Sequence, residues 1–430
     1  MKRILFVSGI LFSLNLYGLT LDEAIQKAYD LNPELKKREY TTEINSWKRL
    51  ESLSPYLPQL SLSGSQAFSL KYPEITVSFG GHNIGFPSGA PQTSFGVDLS
   101  LMVFDGFSKW KLYEASVLNH EASGLEYNYE KFKLVKKIQL KFFQAIGKES
   151  IQNLYDQNIR TLENHLSVAK TNKTVGYGIQ VDILKIKAKI NEAKVEKILA
   201  EDDAQVARNE FFELIGITSD DSIKLEGSLE TPKVQDHLLT LTYKDSSRDD
   251  IKAQQKREAS AREEYTSSLL EWFPKISLFA NKTYYKYDNY ENVIIGNSTY
   301  QNSYILGINF SWNLFDGGAL ISKNFQKQQQ EKISKEDSNA LLLKVPNDVE
   351  TWKRRYYYNS KLYEARLLSI EETEEARRLV ALSVREGLKS TYDLMESDLD
   401  VAKGRIQLIQ SQIDTIEARA NLELTLGHDL

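Results

Sequence analysis

Residues 93–104 alternate without a break. Phe95, Val97, Leu99, Leu101 and Val103 fall on one side of an extended chain, and Ser94, Gly96, Asp98, Ser100 and Met102 on the other. Strict period two over about ten residues marks a β-strand with one apolar face. The same pattern runs from Leu60 to Leu70, where Leu60, Leu62, Phe68 and Leu70 share a face. It returns twice in the second half of the chain. There the apolar side comprises Ile276 and Leu278, then Tyr304, Leu306, Ile308, Phe310, Trp312 and Leu314, against Ser303, Gly307, Asn309, Ser311 and Asn313. Four strands are therefore expected, at about 59–70, 93–104, 275–287 and 302–315.

Elsewhere the period changes to three and four. Leu21–Ala28 and Glu34–Leu53 read as helices, with Thr20 and Glu23 spaced as a capping box. From Gly106 to about Val175, and from Gly317 to about Arg385, nothing reads as a loop. Phe132, Val135, Ile138, Phe142 and Ala145 give a coiled-coil-like stripe with Lys and Glu around it. About seventy helical residues would reach on the order of 100 Å, far beyond what a globular domain needs. Pro346 falls inside the second long helix and should bend or locally break it.

The strands and long helices recur because the chain is duplicated. A shift of 211 (315 − 104) places Gly96 on Gly307, Gly176 on Gly387, Asp182 on Asp393 and Gly216 on Gly427 without a gap. It also superposes Phe104, Asp105 and Gly106 on Phe315, Asp316 and Gly317. Upstream the shift is 216, aligning Pro58 with Pro274 and Glu34 with Asp250. The five-residue difference is assigned to the Gly- and Pro-rich stretch 71–92, which reads as a longer loop. The expected organisation is a signal segment at 1–18, repeat one at 19–226 and repeat two at 227–430. Each repeat reads helix, strand, loop, strand, very long helix, tip turn (176–181 or 387–392) and return helix. At the strand–helix junctions Gly106 or Gly317 relieves backbone crowding. Asp105 or Asp316 can accept N–H groups of the first helical turn, and Phe104 or Phe315 ends the apolar strand face.

Charge and composition remove most other classes. The 430 residues carry 54 Lys and Arg against 59 Asp and Glu, a net charge of −5, so no basic field invites nucleic acid. Lys2 and Arg3, the apolar run Ile4–Leu16 and the small Gly18 read as a signal peptide, without which the net charge is −7 (52 − 59). No later stretch has eighteen unbroken apolar residues, so no transmembrane helix is expected. With no cysteine there is no disulfide, thiolate metal site or cysteine nucleophile. His82, His120, His165, His237 and His428 are scattered and form no His-x-x-x-His pair. Gly176 and Gly178 lack the third glycine of a dinucleotide fingerprint, and "FGGHNIGFPSG" has no Gly-Lys-Ser/Thr. No catalytic, cofactor-binding or metal-ligating residues are expected, and no enzyme.

Four strands are too few to close a membrane barrel, whose smallest form has about eight. Lipid tolerates no open sheet edge, so several chains must pool their strands, with the long helices continuing away from them. In order along the chain come "LTLDEAIQKAYDLNPELK", "YLPQLSLSGS", the first Phe-Asp-Gly, "VGYGIQVDIL" and "ELIGI". "WFPKISLFAN", the second Phe-Asp-Gly, "VREGLKSTYDLM" and "LELTLGHDL" follow. By these stretches the chain resembles the TolC-like outer membrane efflux proteins over essentially its whole mature length. The resemblance implies an all-α-dominated fold with a membrane β-barrel. Three copies would form a homotrimer with a twelve-stranded barrel in outer membrane lipid, continued by a long α-helical coiled-coil tunnel in the periplasm. It also implies a periplasmic adaptor, an inner-membrane pump or ABC transporter, no cofactor, and passive export of small molecules or secreted polypeptides. A membrane-anchored structural or adhesive coiled-coil protein without an open pore is the other reading of these patterns.

The same resemblance marks a gate. In family members, acidic residues six and nine positions after the second tip glycine ring the periplasmic entrance. Here those positions hold Asp393 and Glu396, the second being usually Asp in the family. Copy one keeps Asp182 at the first spacing but has Lys185 at the second. Lys389 could pair with copy one and hold the tip shut. Gly176, Gly178 and Gly387 are assigned to the turns, with Gly176 and Gly387 expected in left-handed conformations. Three apart on a helix, Asp393 and Glu396 share a face. In a trimer their carboxylates would concentrate cations and raise one another's pKa. Acidic residues in a first helical turn are also favoured by the helix dipole alone, so a capping role stands beside the gate.

Overall fold

The computed structural model describes residues 18–68, 74–87, 93–176, 179–220, 222–229, 240, 242, 246–286 and 301–430. Apart from Gly18, the expected signal segment lies outside them. The helices are α1 (Leu21–Leu31), α2 (Pro33–Glu51), α3 (Ser108–Thr174), α4 (Gln180–Ile215), α5 (Asp249–Leu270), α6 (Ala319–Arg385) and α7 (Thr391–Leu426). The strands are β1 (Gln59–Gln66), β2 (Glu74–Phe79), β3 (His82–Pro87), β4 (Thr93–Phe104), β5 (Lys275–Lys286) and β6 (Gln301–Ser311). The shift of 211 carries α3 onto α6, each of 67 residues, and α4 onto α7, each of 36. None of the described helices is long and apolar enough to cross a membrane.

The chain forms two compact units. The sheet unit spans 41–124 and 252–339; the helical unit takes 18–40, 125–251 and 340–430.

In the sheet unit, β1, β4, β5 and β6 pair in that order, all antiparallel. Leu60 stands opposite Leu99, Leu99 opposite Ala280, and Ile276 opposite Phe310. Because side chains alternate, this register puts most apolar residues of the four strands on one face, with Phe279, Tyr285 and Ile305 on the other. The apolar face is open: Leu306 is 79% exposed and Ile308 70%. The other face is a polar network. Asp98 accepts from the Asn281 amide and from the Ser63 hydroxyl at 3.2 Å. Ser65 and Ser94 share a hydrogen bond at 2.7 Å. Among the described residues β1 and β6 each pair on one side only, which leaves the sheet two open edges.

Three expectations change here, the first being that β1 stops at Gln66, short of the expected residue 70. Within 71–92, read as a loop, β2 and β3 pair as an antiparallel hairpin. Its turn uses Gly80 and Gly81 at φ +62° and +83°. Period two from Glu74 to Phe79 formed the strand that the surrounding Gly and Pro obscured. The last strand ends at Ser311, four residues early, and the Trp312 indole N–H instead donates to the Trp272 carbonyl at 3.0 Å.

The helices of this unit pack through small residues spaced by seven. Ser108, Ala115 and Ala122 of α3 and Ala253, Ser260 and Ser267 of α5 are all buried. Ser267 donates to the Ser108 carbonyl and Ser260 to that of Ala115, each at 2.9 Å. Such close approach is possible only where no large side chain intervenes. Lys111–Glu263 at 2.8 Å and Lys256–Glu121 at 2.8 Å flank this seam, and Lys327–Glu264 at 2.6 Å ties α5 to α6.

Both strand–helix junctions are capped by their aspartates. Buried Asp105 accepts from the Lys109 backbone N–H at 2.8 Å and the Tyr56 hydroxyl at 2.9 Å. Asp316 accepts from the Gly318 and Leu320 N–H groups at 3.1 and 2.8 Å. Gly106 (φ +74°) lies so close to the next segment that a Cβ would stand 2.5 Å from Phe273 Cβ. Around Gly317 (φ +71°) the same position is open. Copy two follows with Gly318 at φ +89°, whereas copy one forces Phe107 to φ +66°. Few non-glycine residues adopt that region. The Phe107 ring sits edge-on to Phe104, 5.6 Å between centres, while Phe315 is exposed.

In the helical unit Thr20 and Glu23 form the expected capping box on α1. Ala24 and Ala28 of α1 join Ile138 and Phe142 of α3 and Phe211, Phe212 and Ile215 of α4 in one fully buried core. Pro346 does not break α6, which runs unbroken from Ala319 to Arg385. Val345 and Val349, either side of it, are buried with Tyr356, Leu422 and Leu426. That packing outweighs the hydrogen bond the proline ring removes.

Candidate gate at the helical turns

Both tip turns belong to the helical unit. The return helices begin at Gln180 and Thr391, before the expected turns end. Gly176 and Gly387 adopt φ +85° and +76°, the left-handed conformation that lets a helix stop. Gly178 lies outside the described residues.

The two return helices start differently. Ile179 precedes α4 and offers no side-chain cap, so Asp182 stands in an otherwise uncapped first turn. Ser390 caps α7. Its hydroxyl accepts from the Asp393 N–H at 3.2 Å, and Asp393 accepts from the Ser390 N–H at 2.8 Å. The bond from the Ser390 backbone, then that from its hydroxyl, hold the Asp393 carboxyl below the usual aspartate value; the nearby Lys389 charge adds to this and burial opposes it. Within one chain the cap therefore dominates Asp393. Lys389 acts on this aspartate, in its own copy.

Tyr392 gathers the other charged groups. Its hydroxyl bonds to Glu396; that bond first, then burial, raises the Tyr392 pKa, with the charges of Glu396, Asp182 and Asp393 adding to it. From copy one, the Lys185 ammonium lies 4.7 Å from the centre of the Tyr392 ring. So Asp182, Lys185, Asp393 and Glu396 surround one tyrosine. Asn172 donates to Thr391 at 3.3 Å beside it. Beneath them Leu162, Ile186 and Met395 are fully buried and join α3, α4 and α7.

A second link lies further along the helices. Asp398 of α7 accepts from Arg377 Nε of α6 at 2.7 Å and shares a hydrogen bond with His165 Nε2 of α3, also at 2.7 Å. Burial works against ionisation of Asp398, yet the bonds from His165 and Arg377 prevail and hold its pKa low. Tyr392, His165, Arg377 and Asp398 were not singled out as site residues from the sequence, where no spacing relates them. Nearby, a groove of about 710 Å³ is walled by Lys189, Glu192 and Glu196 of α4 and Glu396, Asp400 and Lys403 of α7. Among the described residues no group of three or more His, Asp or Glu could hold a metal ion.

Residues 245–428 match the family of outer membrane efflux proteins. No curated protein sequence matches the chain. Solved structures with the same fold include the outer membrane protein VceC from Vibrio cholerae, at 14% identity and TM-score 0.77 over 95% of this chain and 96% of that one. The Campylobacter jejuni CmeC outer membrane channel matches at 13% identity and TM-score 0.76, over 95% and 85%. The open state of the Neisseria gonorrhoeae MtrE outer membrane channel matches at 18% identity and TM-score 0.74, over 95% and 89%.

Proposed function

We propose that this chain, a TolC-like outer membrane efflux protein by its match over residues 245–428 and by its fold, is the outer membrane duct of an export system. The observation that carries this reading is the four-stranded sheet with an exposed apolar face and two open edges, β1 and β6. An apolar sheet face in water and unpaired edges in lipid are both unfavourable. Joining β1 of one copy to β6 of the next removes the edges, and three copies make twelve strands. The apolar face then meets lipid, and the Asp98–Asn281 network lines the lumen. The tip turns would lie in the periplasm. There an adaptor would dock, beside the groove between α4 and α7, and an inner-membrane pump or ABC transporter would deliver small molecules or polypeptides. The duct binds and guides; energy comes from the partner.

The carboxylates at the tip would form the periplasmic gate. In the trimer Asp393 and Glu396 would each recur three times about the axis, favouring cations. Single-channel recording of the purified protein in planar bilayers, with its oligomeric state measured in parallel, tests the reading. A trimer with discrete cation-selective openings is expected; a monomer, or a membrane-bound oligomer that never conducts, would overturn it.

A further inference from the structure

The two hairpins of the sheet unit obey one register. β1 and β4 pair Gln59 with Ser100 and Leu60 with Leu99. Shifted by 216 on the first strand and 211 on the second, these become Lys275 with Ser311 and Ile276 with Phe310, the pairs that join β5 to β6. The helices beside them follow suit. Thr42 of α2 donates to the Ser123 carbonyl of α3 at 3.2 Å, and Gln254 of α5 donates to the equivalent carbonyl of α6, that of Ser334, at 3.1 Å. Strands and helices thus lie in matching order: β1, β4, β5, β6 and α2, α3, α5, α6. The repeats meet where β4 joins β5 and α3 joins α5.

Both ends of that order are unfinished. β1 holds β4 only as far as Ser100. Beyond it β5 alone keeps Leu101, Met102 and Phe104 in the strand, with a register shift between the last two. β5 likewise holds β6 as far as Ser311. The residues equivalent to 101–104 are 312–315, and among the described residues no strand flanks them on the other side, so β6 stops four residues short. In the helix layer Ile44, Trp47 and Leu50 of α2 and Ile321, Phe325 and Ile333 of α6 are all exposed.

We propose that the joint between copies repeats the joint between repeats: β6 pairs with β1 of the next copy in the register of β4 with β5, and residues 312–315 become strand only when it does. This rests on reading the sheet as one third of a closed barrel. Alternation of faces alone allows registers two residues apart. The duplication selects one of them. Ser100 with Phe279 becomes Ser311 with Ser63 of the partner subunit (100 + 211 and 279 − 216). Asn309 then opposes the partner's Ser65 and Asn313 the partner's Ser61, three polar pairs on the polar face. On the apolar face Trp312 meets the partner's Leu62, and Phe310 covers the partner's Gly64, much as the Phe279 ring lies over Gly307 within the chain. In the helix layer α6 meets α2 of the next copy. There Ala319, Gln326 and Ile333 stand for Ser108, Ala115 and Ala122, and Ile44 and Glu51 for Ser260 and Ser267. These side chains are larger, so the helices at this joint stand farther apart than α3 and α5.

The chain has no cysteine, so introduced pairs report the register directly. Opposed residues stand about 4.5–5.5 Å apart at Cα, within disulfide reach, whereas diagonal neighbours at about 7–8 Å do not. Within one chain β1 and β6 are three strand spacings apart, about 14 Å, so only a bond between copies can form. The full-length protein is reconstituted in vesicles, oxidised and run on denaturing gels, with native mass spectrometry alongside. Ser311→Cys with Ser63→Cys, and Asn313→Cys with Ser61→Cys, should each give covalent trimer. Ser311→Cys with Ser61→Cys, or with Ser65→Cys, should lose it while remaining trimeric by native mass. Covalent trimer from a displaced pair overturns the register, and its loss in the Asn313 pair alone overturns the strand extension. A native trimer that no pair captures overturns the joint. A monomer throughout overturns the closed-barrel reading and the joint with it.

Discussion

Asp398 is the residue whose removal should loosen the tip most. Its side chain is 12% exposed and His165 is 11% exposed, while Arg377 is 43% exposed. A hydrogen bond to a charged group is worth about 1.5–3 kcal/mol when buried. The His165 bond takes that range; the Arg377 bond, screened by solvent, takes about 0.5–1 kcal/mol. Asp398→Ala should therefore cost about 2–4 kcal/mol locally, and Asp398→Asn, which keeps an acceptor, about half as much. Since 1.4 kcal/mol is about tenfold, hydrogen exchange across 159–170 and 370–385 should quicken at least thirtyfold in the alanine variant. The asparagine variant should show about five- to thirtyfold. The pH sign follows from the depressed carboxyl. Its stabilisation is fully present above the unfolded aspartate pKa of about 3.9 and is lost as pH falls through the lower folded value. The gap between wild type and variant should thus persist at pH 7 and shrink progressively in acid below about pH 4. Less than a twofold change at neutral pH, or an equal gap in strong acid, would refute the reasoning.

Arg at Leu99 or Phe310 should cost about 2–4 kcal/mol near the bilayer midplane and block assembly, whereas Lys at Ser100 or Ser311 should be tolerated; heat-resistant oligomer on gels reads this out, and equal behaviour means the faces are reversed. Asp393→Ala with Glu396→Ala should reduce cation selectivity in planar bilayers, and Asp393→Ala alone should also fray the start of α7 by about 1 kcal/mol in exchange experiments. Unchanged selectivity in an assembled double variant would leave only the cap. Gly106→Ala should destabilise the sheet unit far more than Gly317→Ala. Both meet the left-handed penalty of about 1–2 kcal/mol, but only the first drives a Cβ to 2.5 Å from Phe273; similar thermal shifts would contradict the junction geometry.

Much of this architecture was legible because it is periodic. Period two set β4 and β5 to within a residue, and the unbroken three-and-four spacing set the lengths of α3 and α6. The aspartates of the two junctions were readable because capping is local: acceptor and donor lie within four residues. The errors came where one local signal was weighed against another. Gly and Pro mask the alternation of β2, and the burial of the valines beside Pro346, with which α6 runs on unbroken, is not visible in the sequence.

The tip was opaque for a different reason. Aligning the copies reveals what they share, but the contacts between them use what they do not. Shifted by 211, Tyr392 falls on Val181, Asp398 on Lys187, Arg377 on Leu166, and His165 on Ala376. Each of these four residues is missing from the equivalent position in the other copy. Lys185, which breaks the acidic pair in copy one, proves to be the cation that lies over Tyr392 of copy two. Two identical copies could not pair this way, because a cation in one would face a cation in the other. Duplication supplied two hairpins of equal length; divergence at a handful of positions made one complementary to the other. The charged residues that set the copies apart are therefore where contacts between repeats should be sought.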